Sequence, residues 1–161
     1  MKRLLIAATA FCTMLACSCK KDNSTHDLLI AATVQNTNWT AQPATTYFAG
    51  NDSLQIEGSH ANAGEEQNLV LKIPFHGKGN YLITGTQANY FTILGGDAVT
   101  STYTLDPTQN NYINITDFNS STHIASGSFE LHFLKFYGPE TLVVALNFTN
   151  GQFWIKTPAA N

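Results

Sequence analysis

Apolar and polar residues alternate in short segments along this chain, and this pattern constrains its fold more than any other feature. Apolar residues occupy every second position in Ser53–Gly58 and again in Asn68–Phe75. A period of two is that of a β-strand with one buried face. After the N-terminal leader, no long stretch rich in alanine, glutamate, lysine and leucine offers a helix. The sequence therefore predicts an all-β fold with no significant helix outside the leader.

Turn residues divide the rest of the chain into about ten strands. The predicted strands cover residues 28–34, 38–48, 53–58, 68–75, 81–83, 88–94, 101–105, 112–118, 124–136, 142–148 and 152–156. The polar segment 59–67 is predicted to be a loop. Asn150-Gly151 is predicted to be a hairpin turn, since Asn-Gly between apolar runs is the strongest short hairpin signal. Strands at this spacing predict a single antiparallel β-sandwich or closed barrel over residues 28–158.

The N-terminal segment has the features of an export signal. Met1-Lys2-Arg3 is positive, and Leu4–Ala16 is uncharged but too short to span a bilayer. A small residue precedes both Cys17 and Cys19. This is the arrangement of bacterial lipoprotein signals, in which a peptidase cuts before an acylated cysteine.

These features predict where the protein resides. We expect residues 1–18 to be a lipoprotein signal peptide and residues 19–27 to be an acylated tether, with Cys19 favoured over Cys17 as the acylated residue. Two or more acyl chains, palmitate among them, hold a protein stably at a membrane. The expected location is the cell envelope, anchored to the periplasmic or surface face of the outer membrane.

The charge balance excludes several classes of partner. From Lys20 onward the chain has six lysines, no arginine and eleven acidic residues, which leaves a net charge of −5. Recognition of phosphates and base edges relies on guanidinium groups, so nucleic acid is not an expected partner. The same absence disfavours an anionic substrate held by a bidentate clamp.

No arrangement of residues predicts catalysis, a cofactor or a metal site. The part after the leader has no cysteine nucleophile and no Gly-x-Ser-x-Gly elbow. His60 and His76 could meet near Glu57 if their strands formed a hairpin, but loop-end histidines are the simpler interpretation. Glu130 and His132 share one face of a strand, where a solvated polar face is expected. We therefore expect a protein that is not an enzyme.

Aromatic and amide side chains favour a binding role. Sugars are bound by stacking on flat aromatic faces, together with hydrogen bonds from amides and hydroxyls. The aromatics expected to be exposed, as candidate ligand contacts, are Tyr47, Tyr90, Tyr103 and Tyr137. Those expected in the core are Trp39, Phe129, Phe133 and Phe148. A neutral glycan, a peptide or another envelope protein is thus a candidate partner, and a barrel for an apolar ligand is a further alternative.

One motif indicates a modification. Asp52-Ser53-Leu54 resembles the acceptor motif for O-glycosylation in envelope proteins of the Bacteroidota. It falls at a predicted turn, where a modifying enzyme could reach it. Ser53 is therefore a candidate O-glycosylation site.

Several short motifs together resemble a known family. They are Ala31–Trp39, Leu54–Gly58, Leu71–Pro74, Gly79–Ile83, Ile124–Leu131 and Asn150–Phe153. This set resembles a family of small Bacteroidota lipoproteins of unknown function, in which a tryptophan follows an early tight turn. The resemblance implies an extracytoplasmic all-β domain with no established activity. We accordingly expect a lipid-anchored cell-envelope protein with a non-catalytic structural or interaction role, or alternatively a surface module that binds glycans or peptides.

Overall fold

The fold is built almost entirely of antiparallel strands. A computed structural model describes residues 27–62 and 64–159, without the side chain of Asn62. The ten strands are β1 (Leu29–Val34), β2 (Thr37–Phe48), β3 (Ser53–Asn62), β4 (Glu65–Pro74), β5 (Gly79–Leu82), β6 (Ala88–Leu94), β7 (Ala98–Leu105), β8 (Tyr112–Asn119), β9 (Ile124–Tyr137) and β10 (Ala145–Lys156). The only helices in these residues are two short 3-10 turns, Ala49–Asn51 and Gly85–Gln87. The all-β prediction is confirmed.

Eight of the strands close into a barrel. Their order round the barrel is β1, β2, β3, β4, β6, β7, β9 and β10, and every neighbouring pair is antiparallel. The last strand, β10, returns to β1, where Ile30 lies opposite Phe153. The sequence leaves a sandwich and a barrel as alternatives, and the pairing of β1 with β10 selects the barrel.

Strand β9 is long enough to pair with two neighbours along the same edge. Its second half pairs with β7, with Phe133 opposite Leu105, and its first half pairs with β8, with Phe129 opposite Ile113. The short β5 then pairs with the other edge of β8. Strands β8 and β5 therefore continue the wall of the barrel beyond the point where β6 and β7 stop.

The two ends of the barrel differ in what they carry. At one, the entry end, the chain reaches β1 after Asp27 and leaves β10 at Lys156, and the turns after β2, β4 and β8 lie there. At the other, the mouth end, lie the turns after β1, β3 and β6 and the β9–β10 loop, residues 138–144. The polypeptide that precedes Asp27 therefore joins the barrel at the entry end.

Inward-facing side chains fill the barrel, and one aromatic ring lies at their centre. Phe148 is fully buried, and its ring centroid lies 5.3 Å from those of Trp39 and Tyr90 and 5.7 Å from that of Phe133. Edge-to-face packing at these distances adds to the free energy gained by burying the rings. The core positions predicted for Trp39, Phe129, Phe133 and Phe148 are confirmed.

The prediction of a loop over residues 59–67 is wrong. Strand β3 extends to Asn62 and β4 begins at Glu65, with His60 opposite Gln67 across the hairpin. Near the open end of the barrel, polar residues occupy both faces of these strands because water reaches both. The period of two continues there, but polar composition hides it.

The predicted hairpin at Asn150-Gly151 is also wrong, because both residues lie inside β10. Asn150 has a left-handed backbone with φ 53°, and the register against β9 shifts between Phe148 and Gly151. This is a β-bulge, which uses the same backbone freedom as a turn without reversing the chain. The two strands predicted at 142–148 and 152–156 are therefore one.

The predicted signal peptide, with Cys17, and the tether from Cys19 to residue 26 lie outside the described residues. Within the part of the chain that the structure describes, no helix has the length and apolar character needed to cross a membrane. Lipid attachment therefore stays a prediction.

Candidate ligand-binding site

The four tyrosines predicted as ligand contacts do not form one surface. Tyr137 is 59% exposed at the mouth end, as expected, whereas Tyr47 is half-buried near the entry end and donates to Asp52 Oδ1 at 2.8 Å. Tyr90 and Tyr103 are only 5% and 2% exposed, so the expectation of exposure is wrong for both. They lie opposite each other on β6 and β7, with ring centroids 5.9 Å apart, at positions that face the interior.

Tyr90 and Tyr103 instead line a cavity at the mouth end, which we call the mouth site. It has two adjoining parts, of about 320 and 150 Å³, which share Gln67, Tyr90 and Leu146. The larger part is also lined by Val34, Thr37, Asn38, Trp39 and His60. The smaller part is also lined by Glu65, Thr92, Ser101, Tyr103, Leu142 and Val143.

Hydrogen bonds orient the polar side chains of the larger part. Trp39 Nε1 donates to Gln67 Oε1 at 2.8 Å, which leaves the Gln67 amide nitrogen as a donor. His60 Nδ1 lies 2.7 Å from the Thr40 carbonyl oxygen. Because a carbonyl only accepts, Nδ1 is the donor in this contact, and Nε2 is the ring nitrogen left for a ligand.

Hydrogen bonds also hold the wall formed by the β9–β10 loop. The Tyr103 hydroxyl donates to the Val143 carbonyl at 3.1 Å. The Lys135 ammonium donates to the carbonyls of Pro139 and Leu142 at 2.8 and 3.0 Å. The donor of Tyr103 is thereby used in holding the loop and is not offered to a ligand.

The hydroxyl of Tyr90 is different. Tyr90 lines both parts of the mouth site, yet no hydrogen bond among the described residues uses its hydroxyl. That oxygen is not fully enclosed by protein, so it faces the cavity. Burial, and after it the negative charge of Glu65, raises the pKa of Tyr90, so the hydroxyl stays protonated at neutral pH. Such a group destabilises the protein unless water or a ligand satisfies it.

A larger cavity, of about 430 Å³, lies at the entry end. Its lining is mostly apolar and includes Phe75 and Phe118, whose rings meet edge to face at 5.1 Å. His76 is exposed, and the Thr157 hydroxyl donates to the His123 carbonyl at 3.3 Å. No polar side chain in the described lining of this cavity is both buried and without a partner. The mouth site is therefore the better candidate.

The histidines considered as metal ligands lie far apart. His60 is at the mouth end and His76 at the entry end, so the arrangement of both near Glu57 does not form. In residues 27–62 and 64–159, no group of three or more candidate ligands is placed to hold a metal ion. Glu130 and His132 do share one face of β9, with Oε1 and Nε2 3.4 Å apart.

Ser53, the candidate O-glycosylation site, is less accessible than its turn-like sequence indicates. It is the first residue of β3 and only 7% exposed, and its hydroxyl donates to the Asn51 carbonyl at 3.3 Å. It lies between Phe48 of β2 and Pro74 of β4. Its modification stays a prediction, and an enzyme would need local opening of the strand or an unfolded chain to reach it.

The comparisons with known proteins give one match. A family model described as Domain of unknown function (DUF6252) matches residues 27–155, from the start of the described chain almost to the end of β10. No curated protein and no solved structure matches the chain. The expected membership of a family of unknown function is confirmed, while the bacterial phylum and the lipid anchor stay predictions. Since the match covers most of its length, the chain belongs to the DUF6252 family.

Proposed function

We propose that this protein is a lipid-anchored, non-catalytic binding module of the bacterial cell envelope, and that its ligand occupies the mouth site. The observation that carries the proposal is the hydroxyl of the buried Tyr90, which faces a cavity and has no hydrogen-bond partner in the described part of the chain. Because this oxygen is accessible from the cavity, a polar ligand that enters the cavity can bond to it.

The rest of the mouth site supports binding rather than catalysis. Its hydroxyls on Thr92 and Ser101 bond to each other at 2.7 Å, whereas a nucleophilic hydroxyl needs a base within hydrogen-bond reach. The larger part of the mouth site is lined by an indole ring, an imidazole and an amide, those of Trp39, His60 and Gln67. This mixture suits a sugar unit of a glycan or a polar side chain of a peptide.

The chain that leads from the proposed anchor enters the barrel at the end opposite the mouth site. Asp27 enters the fold at the entry end, eight residues after Cys19. Eight residues span at most about 29 Å. An acylated Cys19 would therefore keep the entry end within about 29 Å of the membrane, with the mouth site at the other end of the barrel.

Removing the Tyr90 hydroxyl tests the binding proposal. In Tyr90→Phe the ring and its packing stay, but the ligand loses one hydrogen bond, so its affinity should fall about threefold to tenfold. The measurement is calorimetric titration of the whole protein in detergent with a panel of mono- and disaccharides and short polar peptides.

Tyr137→Phe is the matched control, because Tyr137 is exposed and does not line the mouth site. Both variants should melt within about 2 °C of the wild type, since neither loses buried apolar volume. The proposal fails if no probe of the panel binds, or if Tyr90→Phe binds the best probe as tightly as the wild type does.

Lipid attachment has its own test. Cells fed with an alkyne-tagged fatty acid should label the wild type, while the double variant Cys17→Ser/Cys19→Ser should carry no label, because no cysteine follows Cys19. Cys12→Ser is the control and should keep the label. Cys19→Ser alone decides between the two candidate cysteines. A label that persists in the double variant would rule out an anchor at either position.

A further inference from the structure

Among the described residues, the charged side chain that lines the mouth site is acidic. Glu65 is the only aspartate, glutamate, lysine or arginine among the described residues of its lining. Lys135 does not line the cavity, and its ammonium is already bonded to two carbonyls of the β9–β10 loop. His60 lines the larger part of the mouth site but not the smaller part, where Glu65 lies. An anionic ligand in the smaller part would meet an uncompensated carboxylate, whereas a cation there would be attracted.

Glu65 and Tyr90 both line the smaller part of the mouth site. The charge of Glu65 is the second-largest cause, after burial, of the raised pKa of Tyr90. The two residues line the same space of about 150 Å³, and no hydrogen bond joins them in the described structure. A donor with at least two N–H groups, placed between them, can bond to both oxygens.

We infer that the mouth site selects ligands with a protonated primary or secondary amine, whose N–H groups donate to the Glu65 carboxylate and to the hydroxyl oxygen of Tyr90. This inference rests on the proposed function and names the class of its ligand.

Other classes of ligand make fewer of the possible interactions with Glu65 and the Tyr90 hydroxyl. A quaternary ammonium is attracted by the charge of Glu65 but has no N–H to donate to Glu65 or Tyr90. A neutral polyol can bond to the Tyr90 hydroxyl but brings no positive charge to pair with the Glu65 carboxylate. A protonated amine is the class that pairs the charge and bonds to both oxygens.

Glucosamine, N-acetylglucosamine and glucose are matched probes, because they share a ring and differ only at carbon 2. At neutral pH most of the glucosamine carries an ammonium, while the other two sugars are neutral. In calorimetric titrations of the whole protein, glucosamine should bind about tenfold more tightly than either neutral sugar. Its affinity should also fall as salt is added, because salt screens the attraction to Glu65.

Two glutamate variants decide whether the preference comes from the mouth site. Glu65→Gln should lower the affinity for glucosamine to that for glucose. Glu66→Gln is the control, because this neighbouring carboxylate does not line the cavity, and it should keep the preference. Thermal melting of both variants establishes that they fold.

The outcomes separate this inference from the proposed function. Equal affinities for the three sugars, or a preference that survives Glu65→Gln, would overturn the amine inference and leave a neutral-ligand mouth site standing. Absence of binding by all three sugars would also overturn it. If the remaining saccharides and peptides of the panel fail to bind as well, the proposed function also falls.

Discussion

Alanine in place of Gly151 is expected to destabilise the barrel by about 3 kcal/mol or more, which is a large fraction of the stability of a single domain. Gly151 is buried at the bulge of β10. A Cβ added there would lie 2.5 Å from the carbonyl oxygen of Phe129 and 2.6 and 2.7 Å from two carbons of its ring. Phe129 cannot move aside easily, because its strand is paired with β8 on one side and β10 on the other. Urea unfolding, followed by tryptophan fluorescence, measures the loss.

Gly50→Ala is the matched control for this change. A Cβ at Gly50 would meet nothing within 4 Å, so the free energy of unfolding should change by less than about 0.5 kcal/mol. A comparably small effect at Gly151 would contradict the bulge. It would mean that Asn150-Gly151 is an exposed turn, as the local sequence indicates, and that β10 is not one continuous strand.

Truncation of Phe148 to alanine is expected to reduce the free energy of unfolding by about 3–5 kcal/mol. The loss combines the transfer free energy of a fully buried ring with the cavity left between Trp39, Tyr90 and Phe133, each of which packs against it. The surrounding strands are closed in a ring and cannot collapse far into the space. Urea unfolding of the variant, compared with the wild type, gives the value.

Phe136→Ala is the control for Phe148, since it removes the same atoms from a side chain that is 78% exposed. Its effect should lie within about 0.5 kcal/mol of zero. If Phe148→Ala cost less than about 1 kcal/mol, the aromatic cluster would not be the centre of the core.

The alternation of apolar and polar residues predicts the bounds of strands that have one buried face. It does not predict the bounds of strands that are polar on both faces or interrupted by a bulge. In β8, predicted at 112–118 and observed at Tyr112–Asn119, the buried Ile113 and Ile115 alternate with polar residues. Residues 59–67 are polar on both faces, so the pattern carries no contrast. At Asn150-Gly151 a bulge and a hairpin turn make the same local demands on the backbone, and only the strand opposite, β9, decides between them.

The types of side chain that line the mouth site are predictable from composition, but the individual residues are not. Abundant tyrosine, tryptophan and amide side chains indicate a site of aromatic and amide groups. Tyr90 is taken for a surface residue because sequence alone does not show that its ring is buried while its hydroxyl reaches the mouth. Glu65 and Gln67 are missed because they fall in the segment predicted as a loop. The alternation of Leu69, Leu71 and Ile73, extended backwards past that boundary, is the signal that places Gln67 on the inward face.

Because the first strand of the barrel pairs with the last, the barrel cannot close until β10 has been synthesised. Leu29 lies opposite Trp154, so closure joins residues more than a hundred positions apart, and such long-range pairing is slow to form. Until β10 arrives, β1 and β9 both expose unpaired edges of the kind that seed aggregation. A chain cut short within β10, by a premature stop codon or a protease, would therefore be a target for degradation rather than a weakened form of the protein.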